Sequence, residues 1–388
     1  MRDVAVTGVG VVSALGLGAG PFWAGLVAGR SGLGPIGRFT VPGGAHGGEV
    51  KGLEVRAFAR SPQARRIDRT SLFALAACRL AVEDAGGLPA GLDPTRTGIA
   101  LGSALGNLSE TAVFLDRLFS RGVGNALVFA NLVLNAPLSY ASIELGITGP
   151  TAFVTEQEAS GEAAIAWGAR LVADGAVDVC LAGATDELDP VRYQVLRDAG
   201  ALAEGAPRPL DPGATGSCPG EGAAVVVLEP LAAARARGAR VYARLVPQPG
   251  FAVPAPVHGW PREAGALAAA LAPVVGAADL IVAAASGRPE LDALEATALA
   301  SALGGQPALV TAPRGATGDF GAAGALAVAA GVLAVYTGTV PPTLGLEGPA
   351  RGGLAVVTGM ARRTAVRAAV VDGLARGGAG QPIRLEAV

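Results

Sequence analysis

The sequence predicts an α/β fold whose core is built twice, and three observations carry that expectation. Short β-branched runs alternate with Ala-rich stretches of helical length along the whole chain, the order expected where helices cover a mostly parallel, buried sheet. The strand-like runs fall into two sets of five with one restart between them. The chain has 388 residues, of which 51% are hydrophobic and 16% charged, so it carries enough apolar material for a large core.

In chain order, the first set of strands is expected at residues 4–6, 98–101, 151–154, 179–182 and 223–228, and the second at 241–245, 280–284, 308–311, 355–358 and 365–371. The restart falls in the charged stretch 231–240, which divides the chain into expected units at 1–235 and 236–388. No low-complexity linker separates them, and the Pro/Gly-rich segment 246–260 is expected to be an exposed excursion. Aromatics make up 4% of the chain against 58 glycines, so small residues must carry close packing between layers.

Residues 4–18 form a Gly-rich apolar run behind a short charged start. Asp3 precedes it, and glycines and serines interleave with alternating valines, which reads as a buried strand and turn rather than a signal peptide. Elsewhere no unbroken apolar run reaches the ~18 residues of a membrane span, so none is expected. The net charge of -2 comes without a basic stripe, which argues against nucleic acid or an anionic membrane as partner. Cys78, Cys180 and Cys218 show neither CxxC nor zinc spacing, so no metal site is expected. Their scatter fits reduced, buried thiols in a cytoplasm.

The stretch Gly149-Pro150-Thr151-Ala152-Phe153-Val154-Thr155-Glu156-Gln157-Glu158-Ala159-Ser160-Gly161 resembles the nucleophile segment of β-ketoacyl synthases, in which a strand ends and the reactive cysteine opens a helix. Here Glu158 stands in the cysteine's place. A carboxylate is a poor nucleophile that would form a mixed anhydride, so covalent acyl loading is not expected. The family's His-Gly-Thr motif falls on the run from Ile281 to Pro289, with Ala284 at the histidine. Its Lys-x-x-x-Gly-His motif falls on Arg314-Gly315-Ala316-Thr317-Gly318-Asp319, with arginine for lysine and aspartate for histidine. His46 and His258, the chain's two histidines, lie outside both motifs. At the two histidine positions, alanine and a carboxylate offer no neutral or cationic donor of the kind that stabilises an enolate oxygen.

The resemblance runs from about residue 3 to the C-terminus. It includes the opening Val4-Ala5-Val6-Thr7-Gly8-Val9-Gly10, then Arg208-Pro209-Leu210-Asp211, Gly220-Glu221-Gly222 and Gly373-Leu374-Ala375-Arg376-Gly377-Gly378. It implies a thiolase-like fold, two similar βαβ halves in a five-layer αβαβα sandwich around a central helix pair, and no cofactor. Four replacements then coincide: Glu158 and Asp319 for cysteine and histidine, Arg314 and Arg376 for lysine and phenylalanine. Arginine beside a carboxylate satisfies both groups when buried, so a plugged, structural pocket is one reading. Another leaves Glu158 as a helix N-terminal acid with no further role.

The chain resembles the chain-length factor, or β subunit, of type II polyketide synthases, which lacks the cysteine and pairs with a competent ketosynthase α subunit. It departs from that class in one respect, since the usual replacement is glutamine and Gln157 stands one place early. The resemblance implies a heterodimer served by an acyl carrier protein, with residues 124–149 crossing the dimer axis and Phe129 projecting towards the partner. Leu108, Thr111, Ala112 and Leu115 share one helix face by their i, i+3, i+4, i+7 spacing. Acyl-tunnel lining and ordinary core packing both fit that face. Three functional classes therefore stand: a non-condensing subunit that sets chain length, an enzyme using Glu158 or Asp319 as general base, and a self-associating structural paralogue.

Overall fold

A computed structural model describes residues 1–41, 43–61 and 66–388. The apolar opening is strand β1 (Val4–Ser13), buried along its whole length, as expected of a core strand. The first half continues with α1 (Arg69–Asp84), β2 (Thr97–Gly102), α2 (Leu108–Arg121), α3 (Ala126–Phe129), α4 (Ala136–Leu145), β3 (Thr151–Val154), α5 (Ser160–Ala173), β4 (Val179–Asp186) and β5 (Gly222–Pro230). After a short helix at Leu231–Ala236, the second half contains β6 (Ala243–Val246), α6 (Ala264–Val275), β7 (Leu280–Val282), α7 (Pro289–Leu303), β8 (Leu309–Thr311), α8 (Arg314–Thr317), α9 (Ala323–Thr337), β9 (Ala355–Val356), β10 (Ala368–Val371) and β11 (Ile383–Glu386).

The duplication is visible in the pairing. The first half orders its strands β3-β2-β4-β5-β1 and the second β8-β7-β10-β11-β6, so each runs third, second, fourth, fifth, first. In both halves the second strand is parallel to the third and fourth, and the fifth is antiparallel to its neighbours. β1 and β6 pair antiparallel and join the halves. One strand escaped the sequence reading. The fifth strand of the second half is β11, whose Ile383 and Leu385 alternate with Arg384 and Glu386; residues 355–356 form an added edge strand beside β8 instead.

Side-chain alternation assigns the layers. In β5, Ala224, Val226 and Leu228 enter the central core, whereas Ala223, Val225 and Val227 face α1. In β7, Leu280 and Val282 face the centre, while Ile281 packs with α6 and α7. Strands buried on both faces read as continuous apolar runs, which is why their sequences show no polar alternation. Helices α5 and α9 fill the middle layer. All of Ala323–Val335 is buried, as a helix apolar all round requires. The helices touch at Gly161, where a Cβ would lie 2.6 Å from the Ala325 amide nitrogen.

The 246–260 excursion is pinned rather than free. Phe251–Ala252 pairs with Ala379–Gly380, and Val253 N–H donates to the Gly378 carbonyl at 2.9 Å. Among the described residues no helix is long and apolar enough to cross a membrane. The three cysteines are buried and unpaired.

Candidate functional site

Glu158 lies in a one-turn 3-10 segment (Gln157–Ala159) between β3 and α5. Gln157 adopts φ +50°, a left-handed conformation uncommon for a side chain of its kind. The turn swings Glu158 inward, where it is buried, and Ser160 secures it by accepting from Glu156 N–H and donating to the Gln157 carbonyl. The Glu158 carboxylate meets the loop that follows β10. Its Oε1 accepts from Arg376 Nε at 2.7 Å, and its Oε2 from the Arg376 backbone N–H at 3.2 Å. Both oxygens thus hold the loop, which is more than a solvated acid at a helix start does. Arg376 remains partly exposed.

The second pair is deeper. Asp319 Oδ1 lies 3.2 Å from Arg314 Nη1, and its Oδ2 lies 2.9 Å from Arg288 Nη2. Arg314 and Asp319 are both buried, and Arg192 donates to the Asp319 carbonyl at 3.1 Å. Burial pulls the Asp319 carboxyl upward, but Arg288, Arg314 and Arg192 outweigh it and hold it below the usual carboxylate range. Arg314 bonds Asp319 and not Glu158. Ala284, just beyond β7, offers only its backbone N–H, which donates to Glu295 Oε1 at 2.6 Å.

Sequence reasoning missed three buried acids beside these pairs. Glu162 stands one helical turn after Glu158, and that i+4 spacing was the available signal. Its carboxylate presses on the first turn of α9, so that a Cβ on Gly324 would lie 1.9 Å from Oε2. Burial pushes the Glu162 carboxyl up to about 7, with Arg314 opposing and Asp372 adding. Glu295 and Asp372 interact and are both raised, chiefly by burial. Neither Glu162 oxygen and neither Asp372 oxygen has a hydrogen-bond partner among the described residues. Arg288 was missed as well, although it stands in the His-Gly-Thr counterpart. Its distance in sequence from Asp319 hid the contact.

The predicted helix face lies elsewhere. The Glu187 carboxylate accepts from Ser109 N–H at 3.0 Å and pins the start of α2. No residue of α2 is buried. Leu108, Thr111 and Ala112 are half-buried, Leu115 is 41% exposed and Phe129 on α3 is 60% exposed. Within this chain, then, the face does not belong to the core.

Chemically, the pocket lacks the cysteine and both histidines of the motifs, with Glu158, Ala284 and Asp319 in their places. It holds carboxylates tied to guanidinium groups and further carboxyls that burial shifts upward. The beta-ketoacyl synthase N-terminal domain model matches residues 1–234 and the C-terminal domain model residues 262–347. The chain is 33% identical to the tetracenomycin polyketide synthase ketoacyl synthase beta subunit of Streptomyces glaucescens, over 97% of this chain and 96% of that protein. It is 31% identical to the alpha subunit from the same organism, over 90% and 88%. A solved structure described as the ishigamide ketosynthase/chain length factor superposes with a TM-score of 0.93 at 29% identity, covering 100% of this chain and 99% of that one. The duplicated fold, the motif order and these likenesses agree: the chain belongs to the beta-ketoacyl synthase family.

Proposed function

We propose that this chain is a non-condensing ketosynthase-like subunit, a chain-length factor that pairs with a catalytic ketosynthase and shapes the acyl tunnel of the pair. One observation carries the reading. The cysteine and two histidines on which condensation depends are replaced by Glu158, Ala284 and Asp319, and the two carboxylates are consumed by Arg376, Arg314 and Arg288. The beta subunit matches 97% of this chain at 33% identity and the alpha subunit 90% at 31%, so overall similarity leans towards the beta subunit by a small margin. The pocket favours it more strongly, because a fold keeps its function only where the site's chemistry survives.

The surface supports a partner. Strand β3 is the outer strand of its half, and the helices that flank it in sequence, α2 to α5, expose Val113, Phe119, Leu127, Phe129, Ile143 and Trp167. An apolar face beside an open sheet edge is what an obligate interface covers. Leu108, Thr111, Ala112, Leu115 and Phe129 then line the tunnel or its mouth, and the acyl carrier protein acts through the complex. Buried, unpaired cysteines suit a cytoplasmic setting. General-base chemistry is disfavoured because Asp319 is held ionised by three arginines and is a weak base.

Co-expression with a catalytic ketosynthase tests the proposal. A stable heterodimer is expected. Ala112→Phe should shorten the product and Leu115→Ala lengthen it, because chain growth stops where the terminus meets immovable side chains. A ketosynthase that makes the same product with this chain omitted contradicts the reading.

A further inference from the structure

We infer that Phe114 is a positioning residue for product length, acting by holding Phe129 in place. The inference rests on the proposed role of Phe129 at the partner's pocket. Helix α3 has four residues, too short to keep its own orientation. Its own support is local: Asn125 Oδ1 accepts from Leu127 N–H at 3.1 Å, and the Asn125 carbonyl accepts from Val128 N–H at 3.0 Å and from Phe129 N–H at 3.2 Å. These bonds, and that of Asn131 Nδ2 to the Arg66 carbonyl at 2.7 Å, hold the backbone of the turn, whereas the aromatic contact to the Phe129 ring comes from α2.

The geometry supplies that support. The Phe114 and Phe129 rings lie 5.9 Å apart between centroids at an interplanar angle of 51°, within the range of favourable aromatic pairs. The backbone between the helices lies directly on the Phe114 ring. A Cβ on Gly124 would stand 2.5 Å from both Cε2 and Cζ of Phe114. Gly122 ends α2 at φ +68° and its N–H closes on the Leu118 carbonyl at 2.9 Å, so the chain turns back over Phe114 without slack. Phe114 is thus a platform that touches both the turn and the projecting ring. It lies off the Leu108, Thr111, Ala112, Leu115 face, and therefore works through Phe129 instead of touching the acyl chain.

The test uses the heterodimer co-expressed with its ketosynthase, with assembly checked by size-exclusion chromatography and product length read by mass spectrometry. Phe129→Ala should move the dominant product by at least one two-carbon unit. Phe114→Ala should move it in the same direction, the double variant no further than Phe129→Ala alone, and Phe114→Tyr should keep the wild-type length. Gly124→Ala, which tilts the Phe114 ring while retaining it, should reproduce the shift and carries the test if Phe114→Ala does not assemble. Wild-type length from assembled Phe114→Ala or Gly124→Ala, beside a shifted Phe129→Ala, overturns the role of Phe114. An unchanged Phe129→Ala product overturns instead the reading on which it rests.

Discussion

The pocket around Glu158 and the face formed by α2 and α3 differ in how their side chains are satisfied. In the pocket, the Glu158 and Asp319 carboxylates are buried and paired with guanidinium groups of the same chain. On the face, Val113, Leu115, Phe119, Leu127 and Phe129 stand exposed. A ketosynthase needs the reverse: free, reactive groups in the pocket. The contrast teaches that this chain closed its chemistry internally and left its unfinished surface for another protein.

If the pocket is held by charge pairing, Arg314 should matter most. Arg314→Met leaves Asp319 with fewer counter-charges and removes the cation nearest Glu162, a loss of about 3–5 kcal/mol as for other broken buried pairs. Denaturant midpoints should show it, and adding Asp319→Leu should recover part of the loss. Equal destabilisation by the single and double variants breaks the pairing account.

Glu162 sharpens the comparison through pH. Its carboxyl keeps its proton up to about 7 in the folded chain, against an ordinary value of 4.5. Between these values the unfolded chain ionises and the folded chain does not, so stability falls as pH rises through that window, by about 3 kcal/mol for this group. Glu162→Gln, which imitates the protonated form, should lack that component. Urea midpoints from pH 4.5 to 8 should separate the two proteins progressively, and a constant difference contradicts the assignment.

Arg376 is partly exposed, so its pair with Glu158 is worth less, about 1 kcal/mol. Arg376→Met should nonetheless destabilise the chain more than Glu158→Leu and Arg376→Met together, because the single variant strands a buried carboxylate. The smallest stability effect belongs to the other region. Phe129→Ala should change the isolated chain's midpoint by no more than about 0.5 kcal/mol while altering heterodimer product length. A large loss of stability there would place the ring in the core after all.

The fold was largely legible, because strands buried on both faces leave long apolar runs and helix α9 is apolar all round. β11 was not, since four residues with alternating charge near the end of the chain resemble a loose tail until they pair with β10 and β6. At the site, local motifs exposed the replaced positions Glu158, Ala284 and Asp319. The partners Arg288, Glu295 and Asp372 were hidden because their proximity depends on how distant segments of the second half come together. Glu162 could have been found, one turn along from Glu158, but an acid on an Ala-rich helix reads as a solvated face until the helix is known to be central.

The most direct measurement is the intact mass of both subunits after the heterodimer is incubated with acyl-loaded carrier protein. The account predicts a stoichiometric acyl adduct on the partner and none on this chain, since Glu158 is paired to Arg376 and burial pushes the thiols of Cys78, Cys180 and Cys218 up to about 12. A stoichiometric adduct on this chain, mapped to the segment between β3 and α5, would contradict it.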